Sequence, residues 1–151
     1  MIIFLSLELL LFAPGEATIF IVPSKAGYKV AITSEFVLLE GFKKEFPNNK
    51  IGIIFEPHQF SRTKQFFNTF LEALKIADKA SFYPIYAARD TKEDQQFSLI
   101  ENLKNSSIGM VKNLADIQKF VSKFEKNDVI IFCGAGNIST VAHKFLSQNS
   151  I

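Results

Sequence analysis

The sequence predicts a three-layer α/β domain, in which a mostly parallel sheet lies between helices on both faces. Short apolar runs at 51–55, 80–85 and 129–133 alternate with longer segments whose apolar residues recur at helical spacing. The run 129–133 is continuously apolar, which is typical of a parallel strand buried on both faces. With 151 residues and 48% hydrophobic content, the chain can bury the core of one such domain.

The expected elements follow one another from residue 34 onward. Helices are predicted at 34–46, at 61–77, in the second half of 91–105, from 113 to about 124 and from 138 onward, and strands at 51–55, 80–85, 108–111 and 129–133. Asn113 and Asp116 resemble a capping box that opens a helix. Pro84 indicates an edge or terminal position in its strand, because proline has no backbone N–H. This alternation implies right-handed crossovers between parallel strands.

Residues 1–30 form an apolar segment of uncertain structure, and we expect residues 31–151 to form the domain. Two apolar runs, Met1 to Phe12 and Thr18 to Val22, lie in the segment. Each is too short to span a membrane, and no basic residue precedes Lys25 as a signal peptide would require. We therefore favour buried strands, or residual sequence from a truncated or rearranged gene, over a secretion signal.

Composition excludes several classes of protein. The net charge of +2, without a basic stripe, argues against nucleic acid as a partner. Cys133 is the one cysteine, so no internal disulfide can form, which fits a reducing cytoplasm. It follows four apolar residues and is expected to end a buried strand. The two histidines, His58 and His143, and this cysteine show no metal-ligand spacing, so we predict no metal site.

The turn from Glu56 to Thr63 joins a predicted strand to a predicted helix, at the sheet edge where α/β proteins bind ligands. Ser61 is a candidate N-cap. The first helical turn then carries Arg62 and Lys64 where acidic residues would suit the positive helix end. A bound carboxylate or phosphate would remove this conflict. The simpler interpretation is a solvated turn with two flexible basic side chains.

A second turn, Gly134-Ala135-Gly136-Asn137-Ile138-Ser139, follows the last predicted strand and opens the last helix. It is close to a dinucleotide-binding fingerprint, although Ser139 replaces the third glycine and no later strand can supply the acidic ribose ligand. A small nucleotide-binding Rossmann protein is therefore a minor alternative. The plainer interpretation is that the glycines permit a tight strand-to-helix turn.

Pro57-His58-x-x-Ser61-Arg62-Thr63 after a hydrophobic strand resembles the C-terminal domain of the Mur ligases, a family of ATP-dependent amino-acid ligases. Residues 66–78, 85–88 and 133–138 agree with that family in order and spacing. The resemblance covers roughly residues 35–146. It implies the same Rossmann-like architecture as the pattern of elements.

The resemblance implies how such a site works. The family activates a carboxylate with ATP, and the amine of the incoming amino acid attacks the acyl phosphate. The C-terminal domain closes over the site and holds the amino acid, partly by its carboxylate. Arg62 matches an arginine suited to bidentate pairing with that group, and His58 matches a histidine that could orient the substrate or manage the amine proton. Simpler interpretations are a surface ion pair for Arg62 and a turn-stabilising hydrogen bond for His58.

The resemblance also implies the remaining site residues and partners. The substrate-binding candidates are His58, Gln59, Ser61 and Arg62, and the cleft-lining candidates are Tyr86, Asp90, Gly134, Ala135, Gly136 and Asn137. L-alanine or a similar amino acid is the expected ligand, whereas the UDP-sugar substrate, ATP and Mg²⁺ belong to the complete ligase. No nucleic-acid or membrane partner is expected, and the location implied is the bacterial cytoplasm.

The chain departs from the family pattern at several places. Gln59 replaces a second arginine, Arg89-Asp90 replaces Gly-Glu, and the histidine-rich segment before the first helix is absent from residues 30–34. The sequence has no Gly-x-x-x-x-Gly-Lys-Ser/Thr phosphate loop. We therefore expect an amino-acid-binding, active-site-closing C-terminal domain, truncated and inactive in ligation by itself. The alternative is a degenerate stand-alone binding or interaction module.

Overall fold

The computed structural model describes residues 8–10, 18–23, 32–125, 128–134 and 136–149. The strands are β1 Glu8–Leu10, β2 Thr18–Pro23, β3 Ile51–Glu56, β4 Lys79–Phe82, β5 Gly109–Met110 and β6 Val129–Gly134. The helices are α1 Ile32–Glu45, α2 Phe60–Leu74, α3 Leu99–Leu103, α4 Leu114–Val121 and α5 Ile138–Asn149, with a 3₁₀ turn at Asp94–Gln96.

The described strands form one sheet in the order β1-β2-β6-β3-β4-β5. Strand β1 runs antiparallel to β2, and every other neighbouring pair is parallel. Strand β6 therefore lies between β2 and β3, although it comes last in the chain. The carboxyl ends of β3, β4 and β6 meet at one edge of the sheet, as the sequence predicted.

Helices cover both faces of the sheet, because side chains alternate along β3 and β6. Ile51, Ile53 and Phe55 point into a core shared with α1, α2 and α3. Ile54 points into the opposite core, shared with α4 and α5. The mostly parallel three-layer α/β fold is thus confirmed, and Cys133 ends a buried strand as expected.

The capping box opens α4 as predicted, since the Asn113 side chain accepts a hydrogen bond from the Asp116 N–H at 2.9 Å. Several other predicted elements are shorter, among them the strand predicted at 108–111, which is reduced to Gly109–Met110. Strand β4 ends at Phe82, ahead of Pro84, rather than at residue 85. Helix α3 is a short helix that buries Leu99, while Ile100 is 49% exposed. The predicted apolar runs at the start of the chain contain β1 and β2, and the burial of their side chains lies outside the described residues.

Aspartates fix the amino-terminal edge of the sheet. The Asp78 carboxylate accepts from the Ile51 N–H at 2.7 Å and pairs with Lys43. The buried Asp128 carboxylate accepts from the N–H groups of Lys50 at 2.9 Å and Glu125 at 2.8 Å. These contacts secure the start of β3 and the connection into β6.

Candidate functional site

The turn after β6 is built around the carboxylate of Glu56. Alternation from Ile54 places Glu56 on the face covered by α5, and Glu56 pairs in register with Gly134. Its side chain is only 2% exposed. Oε2 accepts from the N–H groups of Gly136 and Ile138, and Oε1 from that of Asn137, each at 3.0 Å. One carboxylate therefore caps the N-terminus of α5, where negative charge is favoured.

The two glycines of this turn are required by close packing. A Cβ on Gly134 would lie 2.8 Å from the Glu56 carbonyl oxygen and 2.7 Å from the Glu56 Cβ. A Cβ on Gly136 would lie 2.4 Å from atoms of the Tyr86 ring. The missing side chains of the two glycines thus make room for Glu56 and for the Tyr86 ring. Glu56 also accepts from the N–H groups that a nucleotide phosphate would need. Ala135 lies outside the described residues.

Glu56 also affects its surroundings electrostatically. Partial burial, and secondarily the negative charge of Glu56, raise the pKa of the Tyr83 hydroxyl. Tyr83 follows β4 directly, and its N–H donates to the Phe55 carbonyl at 2.8 Å. The residue that follows β4 is therefore hydrogen-bonded to β3, directly before Glu56.

His58 and Tyr86 form an aromatic stack just beyond the strands. Their ring centroids are 5.7 Å apart, with planes inclined by 19°. An isolated parallel bridge joins the two backbones, in which the Tyr86 N–H donates to the Pro57 carbonyl and the Gln59 N–H to the Tyr86 carbonyl, each at 2.9 Å. Because Gly136 packs on the same tyrosine, Tyr86 lies in contact with both turns. The His58 side chain makes no hydrogen bond to any described residue, so a turn-stabilising bond is not observed.

Gln59 adopts a backbone conformation that L-residues rarely occupy, with φ 69° and ψ 135°. Its carbonyl accepts from the Thr63 N–H at 3.0 Å and from Thr63 Oγ1 at 2.6 Å. Thr63 is fully buried. Together with the bond to the Tyr86 carbonyl, these contacts hold Gln59 in a conformation that costs of order 1–3 kcal/mol. Such conformations concentrate at functional sites.

The prediction that Ser61 is the N-cap of α2 is wrong. The helix begins at Phe60, and the N-cap position is Gln59, because the Gln59 carbonyl already accepts from Thr63. The Ser61 N–H and hydroxyl both donate to Oδ1 of Asp90 at 3.0 Å. A carboxylate from a distant loop thus lies at the helix start that the sequence assigned to a bound anion.

The carboxyl of Asp90 is held in its charged form. Partial burial opposes ionisation, but hydrogen bonds from the backbone of Phe60, Ser61 and Ala88 and from the Ser61 hydroxyl outweigh it and lower the Asp90 pKa. The helix start is therefore served by an internal negative charge. The prediction of an additional external anion stays a prediction.

Arg62 lies one residue after Ser61, in the first turn of α2, and is half-buried. Among the described residues, its guanidinium has neither an ion-pair nor a hydrogen-bond partner, so the surface ion pair of the simpler interpretation is not observed. No acidic residue lies in the first turn of the helix. Within the described part of the chain, the positive charge of Arg62 is therefore not compensated by an acidic side chain.

The structure places most of the predicted site residues at one edge. His58, Tyr86 and Gly136 are in contact, while Ser61 and Asp90 are joined at the start of α2. Asn137 contributes a backbone N–H to Glu56, and its side chain is exposed. Sequence reasoning missed Glu56 as a site residue. Two sequence signals could have indicated it. Glu56 is a charged residue at the end of the apolar strand β3, and the alternation of side chains along that strand places it, like Ile54, on the face covered by α5.

The described part of the chain contains no group of three or more His, Cys, Asp or Glu side chains able to hold a metal ion. Among those residues, no helix combines the length and apolar character needed to cross a lipid bilayer.

The fold and this edge define a Rossmann-like three-layer α/β domain whose polar residues converge where parallel strands end. In sequence the chain is similar to UDP-N-acetylmuramate–L-alanine ligases. Its identity is 39% over 102 residues with the Lactobacillus helveticus protein, 40% over 108 with that of Lachnospira eligens and 33% over 107 with that of Fusobacterium nucleatum. These alignments cover 66%, 67% and 70% of this chain, but only 22%, 23% and 23% of the relatives.

The relatives confirm the resemblance to the Mur ligases over about two thirds of the chain, which itself spans less than a quarter of their length. A solved structure of a murein peptide ligase from Psychrobacter arcticus aligns with 88% of this chain and 28% of its own. Its TM-score is 0.54 at 20% identity, a likeness that shows the fold. No protein-family model matches the chain.

Proposed function

We propose that this chain acts as the amino-acid-binding, active-site-closing C-terminal domain of an ATP-dependent UDP-N-acetylmuramate–L-alanine ligase of bacterial peptidoglycan synthesis. The observation that carries the proposal is that the guanidinium of Arg62 has no partner among the described residues, in the helix turn that follows the His58–Tyr86 stack at the edge where β3, β4 and β6 end. The names and identities of the relatives support it.

In this proposal, Arg62 holds the carboxylate of L-alanine through two parallel N–H···O bonds. The His58 imidazole, oriented by Tyr86, faces the amine and can accept or pass on its proton. Gln59 contributes an uncharged amide where the family has a second arginine, so the carboxylate is held by one cation here. The site works in the cytoplasm, where its substrates are made.

ATP and Mg²⁺ find no fitting site among the described residues. The N–H groups of the Gly136–Ile138 turn are used by Glu56, and no metal-binding cluster is present there. In this proposal, the described residues therefore take no part in phosphoryl transfer. ATP, Mg²⁺ and the UDP-sugar belong to other domains of a complete ligase. The same use of the turn by Glu56 argues against a nucleotide-binding Rossmann protein.

The proposal is tested by titrating the labelled protein with L-alanine and following NMR chemical shifts. We expect shifts that cluster at residues 58–63, and an Arg62→Ala variant whose affinity is about 10- to 100-fold weaker, because a charge-assisted hydrogen bond is lost. Lys64→Ala is the matched control, since it removes the same charge from the exposed side of the same helix turn. L-alaninamide, which has no carboxylate, should bind as weakly to wild type as L-alanine does to Arg62→Ala.

Equal weakening by the two variants would contradict specific recognition by Arg62. If no shifts occur at millimolar L-alanine, the titration is repeated with the ATPase domain of a relative supplied in trans. Binding that then appears indicates a site completed by closure. Its continued absence favours the stand-alone module over the ligase domain.

A further inference from the structure

Glu56 and His58 lie at opposite ends of a continuous set of contacts. The Glu56 carboxylate holds the N–H groups of Gly136, Asn137 and Ile138 at 3.0 Å each. Gly136 packs so closely on Tyr86 that no Cβ fits between them. The other aromatic contact of Tyr86 is the His58 imidazole, at 5.7 Å between centroids. The position of the turn therefore limits where the Tyr86 ring can lie, and that ring limits the imidazole.

The chemistry of Glu56 suits this task better than a neutral side chain would. Both oxygens are used, and each of the three partners is a donor, so a carboxylate, which only accepts, matches all of them. Hydrogen bonds to a charged acceptor are shorter and stronger than neutral ones. The Glu56 side chain is only 2% exposed, so water does not compete for these hydrogen bonds. The turn is consequently held in place by a buried group that is itself almost inaccessible from solvent.

We propose that Glu56 is a positioning residue, which sets the orientation of His58 by holding the Gly136–Ile138 turn against Tyr86. Its relevance to catalysis rests on the function proposed above. The geometric linkage itself requires no ligand. Glu56 thereby joins the two turns of the candidate site, one after β3 and one after β6.

The test uses the side-chain NMR signals of the two histidines in the full chain. The Tyr86 ring shifts the His58 signals, and Tyr86→Leu defines their position without a stack. Glu56→Gln keeps the shape of the side chain but places an NH₂ group against a backbone N–H. We expect it to move the His58 signals towards their Tyr86→Leu position and to leave the exposed His143 as an internal reference.

Asp128→Asn is the matched control, because Asp128 is also a buried carboxylate that accepts two backbone N–H groups, at the opposite edge of the sheet. It should lower stability and leave His58 unchanged. The proposal is overturned if His58 stays at its wild-type position in folded Glu56→Gln, or if Asp128→Asn moves His58 equally.

If Glu56→Gln does not fold, Gly136→Ala carries the test, because it retains Glu56 and pushes a methyl group into the Tyr86 ring. A shifted His58 supports the linkage, and an unshifted one overturns it. These measurements contain no amino acid. If L-alanine fails to bind both alone and with the ATPase domain in trans, while the His58 response is intact, the proposed function is rejected and the linkage stands.

Discussion

Both edges of the sheet use side-chain carboxylates to accept hydrogen bonds from backbone N–H groups, but at different kinds of secondary-structure element. At the amino-terminal edge, Asp78 and Asp128 accept backbone N–H groups at the starts of strands. At the carboxyl-terminal edge, Glu56 and Asp90 accept those at the starts of helices. Each edge therefore satisfies backbone donors with internal carboxylates.

The two edges differ in their ion pairs and in their backbone strain. At the amino-terminal edge Lys43 pairs with Asp78 and Lys50 with Glu125, whereas Lys79 at the start of β4 has no acidic partner among the described residues. At the carboxyl-terminal edge, Arg62 has no partner among the described residues and Gln59 is strained. Departures from local consistency tend to mark functional sites. One edge is thus organised for stability, and the other keeps capacity for a ligand.

The largest expected effect comes from adding a methyl group at each edge. Gly134→Ala should destabilise the fold by about 3 kcal/mol, because the new Cβ meets the Glu56 backbone, which cannot move aside. Gly52→Ala should cost about 1 kcal/mol, because its Cβ meets only the outer atoms of the Phe124 ring, which can turn away. Urea unfolding measures both.

Gly41→Ala on α1 is the reference for this pair, since nothing lies within 4 Å of the added Cβ. It should stabilise by about 0.5–1 kcal/mol through helix propensity. Equal costs for Gly134→Ala and Gly52→Ala would contradict the view that the carboxyl-terminal edge is the more rigidly determined of the two.

An intermediate effect is expected at the strained residue. Gln59→Gly should be more stable than Gln59→Ala by about 1 kcal/mol, since glycine accepts positive φ without steric cost. Thermal unfolding of the two variants gives the difference directly. If the two variants are equally stable, the backbone at Gln59 is not strained. Backbone strain then no longer distinguishes the two edges.

The smallest expected effect is an acid dependence. Because hydrogen bonds lower the folded pKa of Asp90, its stabilisation is present above the unfolded pKa near 3.8 and is lost as pH falls through the folded value. Asp90→Asn should therefore flatten the acid limb of the stability curve by about a few tenths of a kcal/mol, since Asp90 is only partly buried and solvent screens part of the effect. Urea midpoints between pH 2 and 6 measure this.

Asp78, whose pKa is also lowered, supplies the comparison at the other edge. Asp78→Asn should flatten the same limb. Only Asp90→Asn should speed amide exchange at Phe60 and Ser61, because only Asp90 serves the start of α2. Faster exchange there in both variants would show that the two edges are not independent.

The local sequence pattern was sufficient to predict the main strands of the sheet and the helices that cover it. The continuous apolar runs of β3 and β6 and the helical spacing of α2 and α5 were readable because burial itself sets those periods. Parallel alignment of the strands follows from their alternation with helices, since parallel neighbours require crossovers, but the order that places β6 between β2 and β3 was not predicted. The convergence of the carboxyl ends of these strands at one edge was predictable for the same reason.

The details of the site needed tertiary contacts. Ser61 was misassigned because the helix start depends on a positive φ at Gln59, which no glycine or asparagine signals. The negative charge at α2 comes from Asp90, 29 residues from Ser61 in the chain. Glu56 acts on a turn 80 residues away, through the register of β3 and β6. Such partners are fixed by the fold, and local propensity cannot show them.

The place of β6 has a consequence for how the chain folds. The strand that lies between β2 and β3 is the last one synthesised, so a nascent chain emerging from the ribosome carries two halves of a sheet with a gap between them. Pairing β3 with β6 closes a loop of about 80 residues, and contacts of that separation slow folding. Until residue 134 emerges, β2 and β3 each expose an unpaired side to chaperones or to neighbouring chains.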